Sequence, residues 1–371
     1  MSVIQTTGRW AAFAGALAIG AGSSFMSISA QTPAPAAATP TERIRVVNVA
    51  QRDAPPTGPS AVVIEHDQGL ATHTIYRPAN LGNTKHGVMV WGEGGCAKNG
   101  LTFPEFLTEL ASHGFVILAD GPPVENAGRR GAPGDGGGAP GGGAPGAGGP
   151  GRGAPGGGAA AAGGAPRAGG PPAGGPGAGA RAGGGPGGGG GAGRGNMTDG
   201  SALIAAIDWI AKEGNDKSSR FYQKVETGRV AAMGMSCGGL MSYGASADPR
   251  VATVGIWNSG LMQPDEKIWA GLHSPVIIVT GGESDIAYAN GKRDFETMKA
   301  NIPVFYGVYP SVGHGGTYNE DNGGAFGVTA LAWLRWQLLN DTTAKGKGYF
   351  VGANCGICSD TKWQVASKEL R

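Results

Sequence analysis

Ser236 stands at the centre of Gly234-Met235-Ser236-Cys237-Gly238. A short apolar run at 229–233 leads into it, and a helical pattern at 237–247 follows. A serine on a sharp strand-to-helix turn has its hydroxyl lifted clear of the backbone, and the flanking glycines remove side chains that would clash there. Such a hydroxyl is a poor nucleophile until a base takes its proton. On this kind of turn an acid and then a histidine follow the serine along the chain. Only His273 and His314 come after Ser236. His273 sits just before a strand. His314 lies in Ser311-Val312-Gly313-His314-Gly315-Gly316, a glycine-rich loop straight after the last strand-like run, and that loop can carry an imidazole back over Ser236. His66, His73, His86 and His113 read as ordinary strand, loop or helix-end residues.

The acid is expected at the end of the strand 275–280, where Gly281-Gly282-Glu283-Ser284-Asp285 follows. Asp285 is the first choice to orient His314 and stabilise the imidazolium. Glu283 is the near alternative and Asp265, after the preceding strand, a third. The structural alternative for Asp285 is to cap the helix that starts near 287.

Acyl transfer also needs donors for an oxyanion. One is expected from the backbone N–H of Cys237 and the other from the loop after strand 87–91, Gly92-Glu93-Gly94-Gly95-Cys96. Cys96 is favoured there, with Gly95 as the alternate. Glu93 reads as a substrate contact or, more simply, as a solvated loop carboxylate. Two amides aimed at one oxygen must have neighbouring backbones, so Cys96 and Cys237 are candidates for a disulfide. Cys355 and Cys358 read as a second, local disulfide; a lone Cys-x-x-Cys with no partner pair is poor support for zinc. Trp257, beside a strand end, is a candidate for lining the acyl or alcohol pocket or, more simply, for packing in the core.

These residues need a scaffold that brings several strand ends together. Strand-like runs at 61–65, 73–77, 87–91, 115–119, 229–233, 253–257, 275–280 and 304–308 alternate with helical patterns at 103–113, 203–210, 237–247, 287–300 and 328–339. Thr198 or Asp199 is placed to cap the second of those helices. This alternation implies a mostly parallel central sheet with helices on both faces, and ligands then sit at the carboxyl ends of the strands.

Two stretches stand apart. Residues 1–30 read as a signal peptide, with Arg9, an apolar run at 10–22 and Ser27-Ile28-Ser29-Ala30 for cleavage. The apolar run is shorter than the ~20 residues that span a bilayer. Residues 31–42 form a Pro/Ala linker, and 43–371 a single domain. Residues 128–195 interrupt that domain with 35 of the 73 glycines, ten prolines and no aromatic or β-branched residue. Such a segment cannot bury enough surface to offset its ordering entropy, so a disordered insertion is expected. Its six arginines and one aspartate also explain the overall charge of +2: without it and Arg9 the chain has 22 basic and 26 acidic residues. A basic balance carried by a loop does not argue for nucleic-acid binding.

The segments Ala111-Ser112-His113-Gly114-Phe115-Val116-Ile117, Gly234-Met-Ser-Cys-Gly-Gly239 and Gly282-Glu-Ser-Asp285 resemble exported α/β-hydrolases of the cutinase-like polyester hydrolase and dienelactone-hydrolase-like group. The resemblance runs from about 87 to 340. It implies the α/β-hydrolase fold and Ser236, Asp285 and His314 as a triad. It also implies that Cys96 holds the oxyanion position that an aromatic residue holds in the polyester hydrolases. The expected activity is serine hydrolysis of carboxylic esters, small or polymeric, through an acyl-enzyme, in the periplasm or outside the cell. No metal or organic cofactor is expected, and no stable membrane span once the signal peptide is removed. A peptidase or acyltransferase would use the same triad. A non-catalytic envelope or surface binding protein on the same fold is the reading from a different class.

Overall fold

A strand buried on both faces needs an apolar side chain at nearly every position. Residues 88–91, 116–119, 230–233, 276–279 and 304–306 meet that requirement, and all are buried in the computed structural model. The structure describes residues 43–48, 54–125, 197–298 and 301–371. The expected signal peptide, linker and insertion lie outside the described residues.

Ten strands form one sheet. In chain order they are β1 (Ile44–Val46), β2 (Val62–Asp67), β3 (His73–Pro78), β4 (His86–Gly92), β5 (Val116–Asp120), β6 (Val225–Met235), β7 (Val251–Trp257), β8 (Val276–Thr280), β9 (Val304–Val308) and β10 (Gln364–Lys368). Across the sheet the order is β1-β2-β3-β5-β4-β6-β7-β8-β9-β10. The run from β5 to β9 is parallel, while β1, β2, β3 and β10 join it antiparallel. The carboxyl ends of β4, β6, β7, β8 and β9 therefore emerge side by side along one edge.

Eight helices longer than a single 3₁₀ turn pack around it among the described residues: α1 (Pro104–Ser112), α2 (Ser201–Asn215), α3 (Cys237–Ala245), α4 (Glu266–Gly271), α5 (Tyr288–Thr297), α6 (Gly324–Leu339), α7 (Lys347–Phe350) and α8 (Gly356–Ser359). Alternate residues of each parallel strand feed two separate cores. Met89, Trp91, Met233, Ile277 and Val279 meet Phe106 and Leu110 of α1 and Phe326 and Trp333 of α6. Val88, Val90, Val230, Ala232, Val254 and Ile256 meet Leu203 and Ile207 of α2 and Leu240 of α3. Helices thus cover both faces of a mostly parallel sheet, which is the α/β-hydrolase architecture.

Several elements differ from the sequence reading. β6 starts at Val225, before Thr227-Gly228, because β4 offers His86 and Gly87 as partners for Val225 and Glu226 there, ahead of a register shift. β10 pairs in full with β9 although most of its residues are exposed. Trp363, just before β10, packs on Tyr309 and Phe326 and fixes where the strand lands. Asp199 accepts from the Ser201 amide at 2.9 Å, but the residue in the N-cap position of α2 is Gly200.

Candidate active site

Ser236 follows the last residue of β6 and precedes the first of α3, with φ 54° and ψ −113°. L-residues rarely occupy that region, and they persist there only when the surroundings over-determine it. Here the Ser236 amide donates to the Trp257 carbonyl at 2.8 Å. The Ser236 carbonyl accepts from Ser259 Oγ at 2.6 Å. The glycines are sterically required: a Cβ on Gly238 would lie 1.9 Å from the Gly92 oxygen, and one on Gly234 would lie 2.3 Å from the Gly238 carbonyl carbon. That close approach sets α3 directly against the end of β4.

His314 reaches back from the loop after β9. Its Nε2 is 2.9 Å from Ser236 Oγ and its Nδ1 is 2.6 Å from Asp285 Oδ1. A carboxylate only accepts, so the Nδ1 proton faces Asp285 and Nε2 is left to accept from the serine hydroxyl. Asp285 is buried and receives further hydrogen bonds from the Gly281 amide, the Ala287 amide and Asn258 Nδ2. Burial alone would raise its carboxyl. The hydrogen bonds from His314, Gly281, Ala287 and Asn258 outweigh that and hold it below the ordinary carboxylate range. The Ala287 amide that Asp285 accepts lies just before α5, but Ala287 itself holds the N-cap position and α5 has no side-chain cap, so the carboxylate serves His314 and the turn before the helix and does not cap it.

The two alternative acids are elsewhere. Glu283 is exposed and stands outside this network. Asp265 caps α4, its Oδ1 accepting from the amides of Lys267 and Ile268 at 2.9 and 3.3 Å. His273 is exposed, with a ring nitrogen 3.5 Å from the Gly271 carbonyl, and it takes no part in this network.

The loop after β4 turns through Gly95 and Cys96 at φ 63° and 51°. Cys96 and Cys237 are joined as a disulfide with Cα atoms 5.2 Å apart. Cys237 is the first residue of α3, so its N–H has no acceptor within the helix. Two backbones carrying candidate oxyanion donors are thereby held together by a covalent link beside Ser236. Cys355 and Cys358 form the second disulfide, at the start of α8.

The structure decides between the two readings of Trp257 and corrects both readings of Glu93. Trp257 is fully buried, with its ring 6.0 Å from Phe106 and 5.7 Å from Phe326. Strand alternation turns it into the core beneath α1 and α6, so it lines no pocket, and its contribution to the site is its carbonyl. Glu93 is neither solvated nor presented to a substrate, being 1% exposed. Burial drives its carboxyl well above the ordinary value; Trp91 and Thr102 oppose that only partly, and the nearby charge of Asp120 adds to it.

Asn258, Ser259 and Tyr318 belong to the site and carry no motif that marks them. Asn258-Ser259 follows the apolar strand β7 directly, and a polar pair at the carboxyl end of a parallel strand is the one available signal.

The dienelactone hydrolase family model matches residues 210–340. The chain has the α/β-hydrolase fold. The matched span includes Ser236, Asp285 and His314 and ends where α6 does. The loop bearing Cys96 precedes it. No match was found among curated proteins. Among the described residues, no helix is long and apolar enough to cross a membrane.

Proposed function

We propose that the protein is an exported serine hydrolase that cleaves carboxylic esters through an acyl-enzyme. The observation that carries this reading is the hydrogen-bonded line Ser236–His314–Asp285, on a serine held in strained backbone geometry. His314 Nε2 takes the Ser236 proton as Oγ attacks the ester carbonyl. The amides of Cys237 and Cys96, with Gly95 as the alternate, receive the tetrahedral oxyanion, and each such donor is worth about 10²–10³ in kcat. Asp285 stays ionised and stabilises the imidazolium. His314 then returns its proton to the departing alcohol. A water molecule, deprotonated by His314, attacks the acyl-enzyme and releases the acid with Ser236 restored.

Export is supported by the apolar N-terminal run and by two disulfides in a chain with four cysteines. Intact mass of the exported protein, with and without reductant, checks cleavage near Ala30 and both bridges in one measurement. The catalytic reading is tested with a fluorophosphonate probe and a p-nitrophenyl ester. Wild type is labelled and turns over the ester, and Ser236→Ala does neither. Folded wild type that resists the probe and leaves the ester intact would refute the proposal.

A further inference from the structure

The end of β7 holds the densest set of polar contacts in the site. Asn258 is fully buried and has φ 43°, a conformation that asparagine tolerates better than most residues. Its side-chain amide has a partner on each side. Nδ2 donates to Asp285 Oδ2 at 2.8 Å and to the Gly313 carbonyl at 3.1 Å. Oδ1 accepts from the Tyr318 hydroxyl at 2.6 Å. The partners fix which way the amide points, because the carboxylate and the carbonyl only accept.

Tyr318 is itself immobilised. It is fully buried, with its ring centroid 4.7 Å from Phe103 and 5.3 Å from both Phe106 and Phe326. The chain that connects His314 to Tyr318 must pass close by. A Cβ on Gly316 would lie 3.0 Å from Asn258 Oδ1 and 2.6 Å from the Tyr318 ring. The loop carrying His314 turns through positive φ at Ser311, Gly313 and Gly316, a course that needs outside contacts to fix it. Gly313, one residue before His314, has two: its amide donates to the Gly281 carbonyl at 3.1 Å and its carbonyl accepts from Asn258. Ser259, the next residue along, holds the Ser236 carbonyl.

We infer that Asn258 is a positioning residue, with Tyr318 as its anchor, fixing Asp285 and the His314 loop relative to Ser236. This rests on the serine-hydrolase reading. Asn258 touches no reacting atom and acts through the Asp285 carboxylate and the Gly313 carbonyl. Without it, Asp285 Oδ2 keeps only the Gly281 amide, and the histidine loop loses its side-chain tether to β7.

A space-filling role and a positioning role predict opposite orders for two substitutions. Asn258→Asp conserves shape and an acceptor for Tyr318, but sets a second carboxylate within hydrogen-bonding distance of Asp285, where two cannot both ionise freely. Asn258→Ala leaves a hole and no repulsion. The test uses the full chain, p-nitrophenyl ester turnover at mildly alkaline pH, and melting curves for wild type, Ser236→Ala, both Asn258 variants and Tyr318→Phe. Asn258→Asp is expected to lose about 10²-fold in kcat, as for a small misplacement of reacting groups. Its loss exceeds that of Asn258→Ala, with KM within about threefold of wild type in both. Tyr318→Phe loses about tenfold in kcat, the scale of one buried hydrogen bond. An active wild type with Asn258→Asp less impaired than Asn258→Ala overturns the positioning role alone. If Asn258→Asp does not fold, Tyr318→Phe decides, and an unchanged kcat there overturns the proposal. A wild type no faster than Ser236→Ala sinks the underlying reading and this inference with it.

Discussion

Replacing both Cys96 and Cys237 by alanine removes the link across the candidate oxyanion hole and leaves both backbone amides in place. Alanine accepts the left-handed backbone at Cys96 no worse than cysteine does, so the pair of substitutions isolates the bridge. The two residues are 141 apart in sequence. Chain-entropy scaling gives about 5 kcal/mol for closing a loop of that length, against about 2 kcal/mol for the Cys355–Cys358 loop. In a domain of this size about 5 kcal/mol corresponds to a fall of about 10–20 °C in Tm. The double alanine variant at 96 and 237 should therefore melt far below the one at 355 and 358. Only the first should also lose kcat at temperatures where both are folded, by up to the 10²–10³ that one displaced oxyanion donor costs. The assay is calorimetry followed by ester turnover well below either melting point. A Tm within about 2 °C of wild type would refute the entropic argument. A large fall in Tm with kcat unchanged would show that the bridge stabilises the fold without shaping the oxyanion site.

The remaining predictions concern Glu93 and the glycine-rich stretch. Burial raises the Glu93 carboxyl well above 4.5 in the folded chain, so between about 4.5 and the folded value the unfolded chain has released a proton that the folded chain keeps, and stability falls as pH rises. Glu93→Gln cannot ionise, so its Tm should gain on wild type as pH rises above about 4.5 and lose that gain near pH 4.5 and below; a gap constant across a pH series of melts contradicts the assignment. Deleting 130–193 shortens the loop closed by Cys96–Cys237 to about 77 residues, which changes the closure entropy by only about 0.5 kcal/mol. Tm should move by about 2 °C or less and ester turnover should hold, and a large fall in Tm would show that the stretch contributes to the fold.

What the sequence makes legible follows from how each element is buried. β9 runs over 304–308 as expected because both of its faces are covered and its residues are apolar throughout. β10 escapes a sequence reading because an edge strand needs backbone partners more than apolar side chains, and Gln364, Ser367 and Lys368 give no pattern. Ser236 and His314 stand out in the sequence because the proposed chemistry demands their types in a fixed order after a recognisable turn. Asn258 does not, since the role proposed for it exists only where the loops after β7, β8 and β9 converge, and no spacing in the chain records that meeting. Trp257 leaves two readings open for a related reason: an aromatic at a strand end suits a pocket or a core, and only the phase of alternation decides for the core. Glu93 misled because a carboxylate between glycines looks solvated until the loop over it is placed.

The ties around Ser236 differ in kind on its two sides. Toward β4, Cys237 is bound covalently to Cys96, next to the amides proposed to receive the oxyanion. Toward β7, β8 and β9, the ties are hydrogen bonds from Ser259 and Asn258 to Ser236, Asp285 and Gly313. The division suits the chemistry. Oxyanion donors work best when fixed before charge develops, since any reorganisation during reaction subtracts from what they contribute. In the proposed mechanism His314 takes a proton from Ser236 at Nε2 and gives it to the departing alcohol, then takes one from water and returns it to Ser236, with Asp285 at Nδ1 throughout, which asks for orientation with some freedom at the ring. A covalent link on the electrostatic side and a hydrogen-bonded relay on the proton-transfer side meet both demands. Ser236 sits where they join, with its carbonyl held from β7 and its neighbour bonded to the loop after β4, and that double hold is what keeps a strained φ of 54° in place.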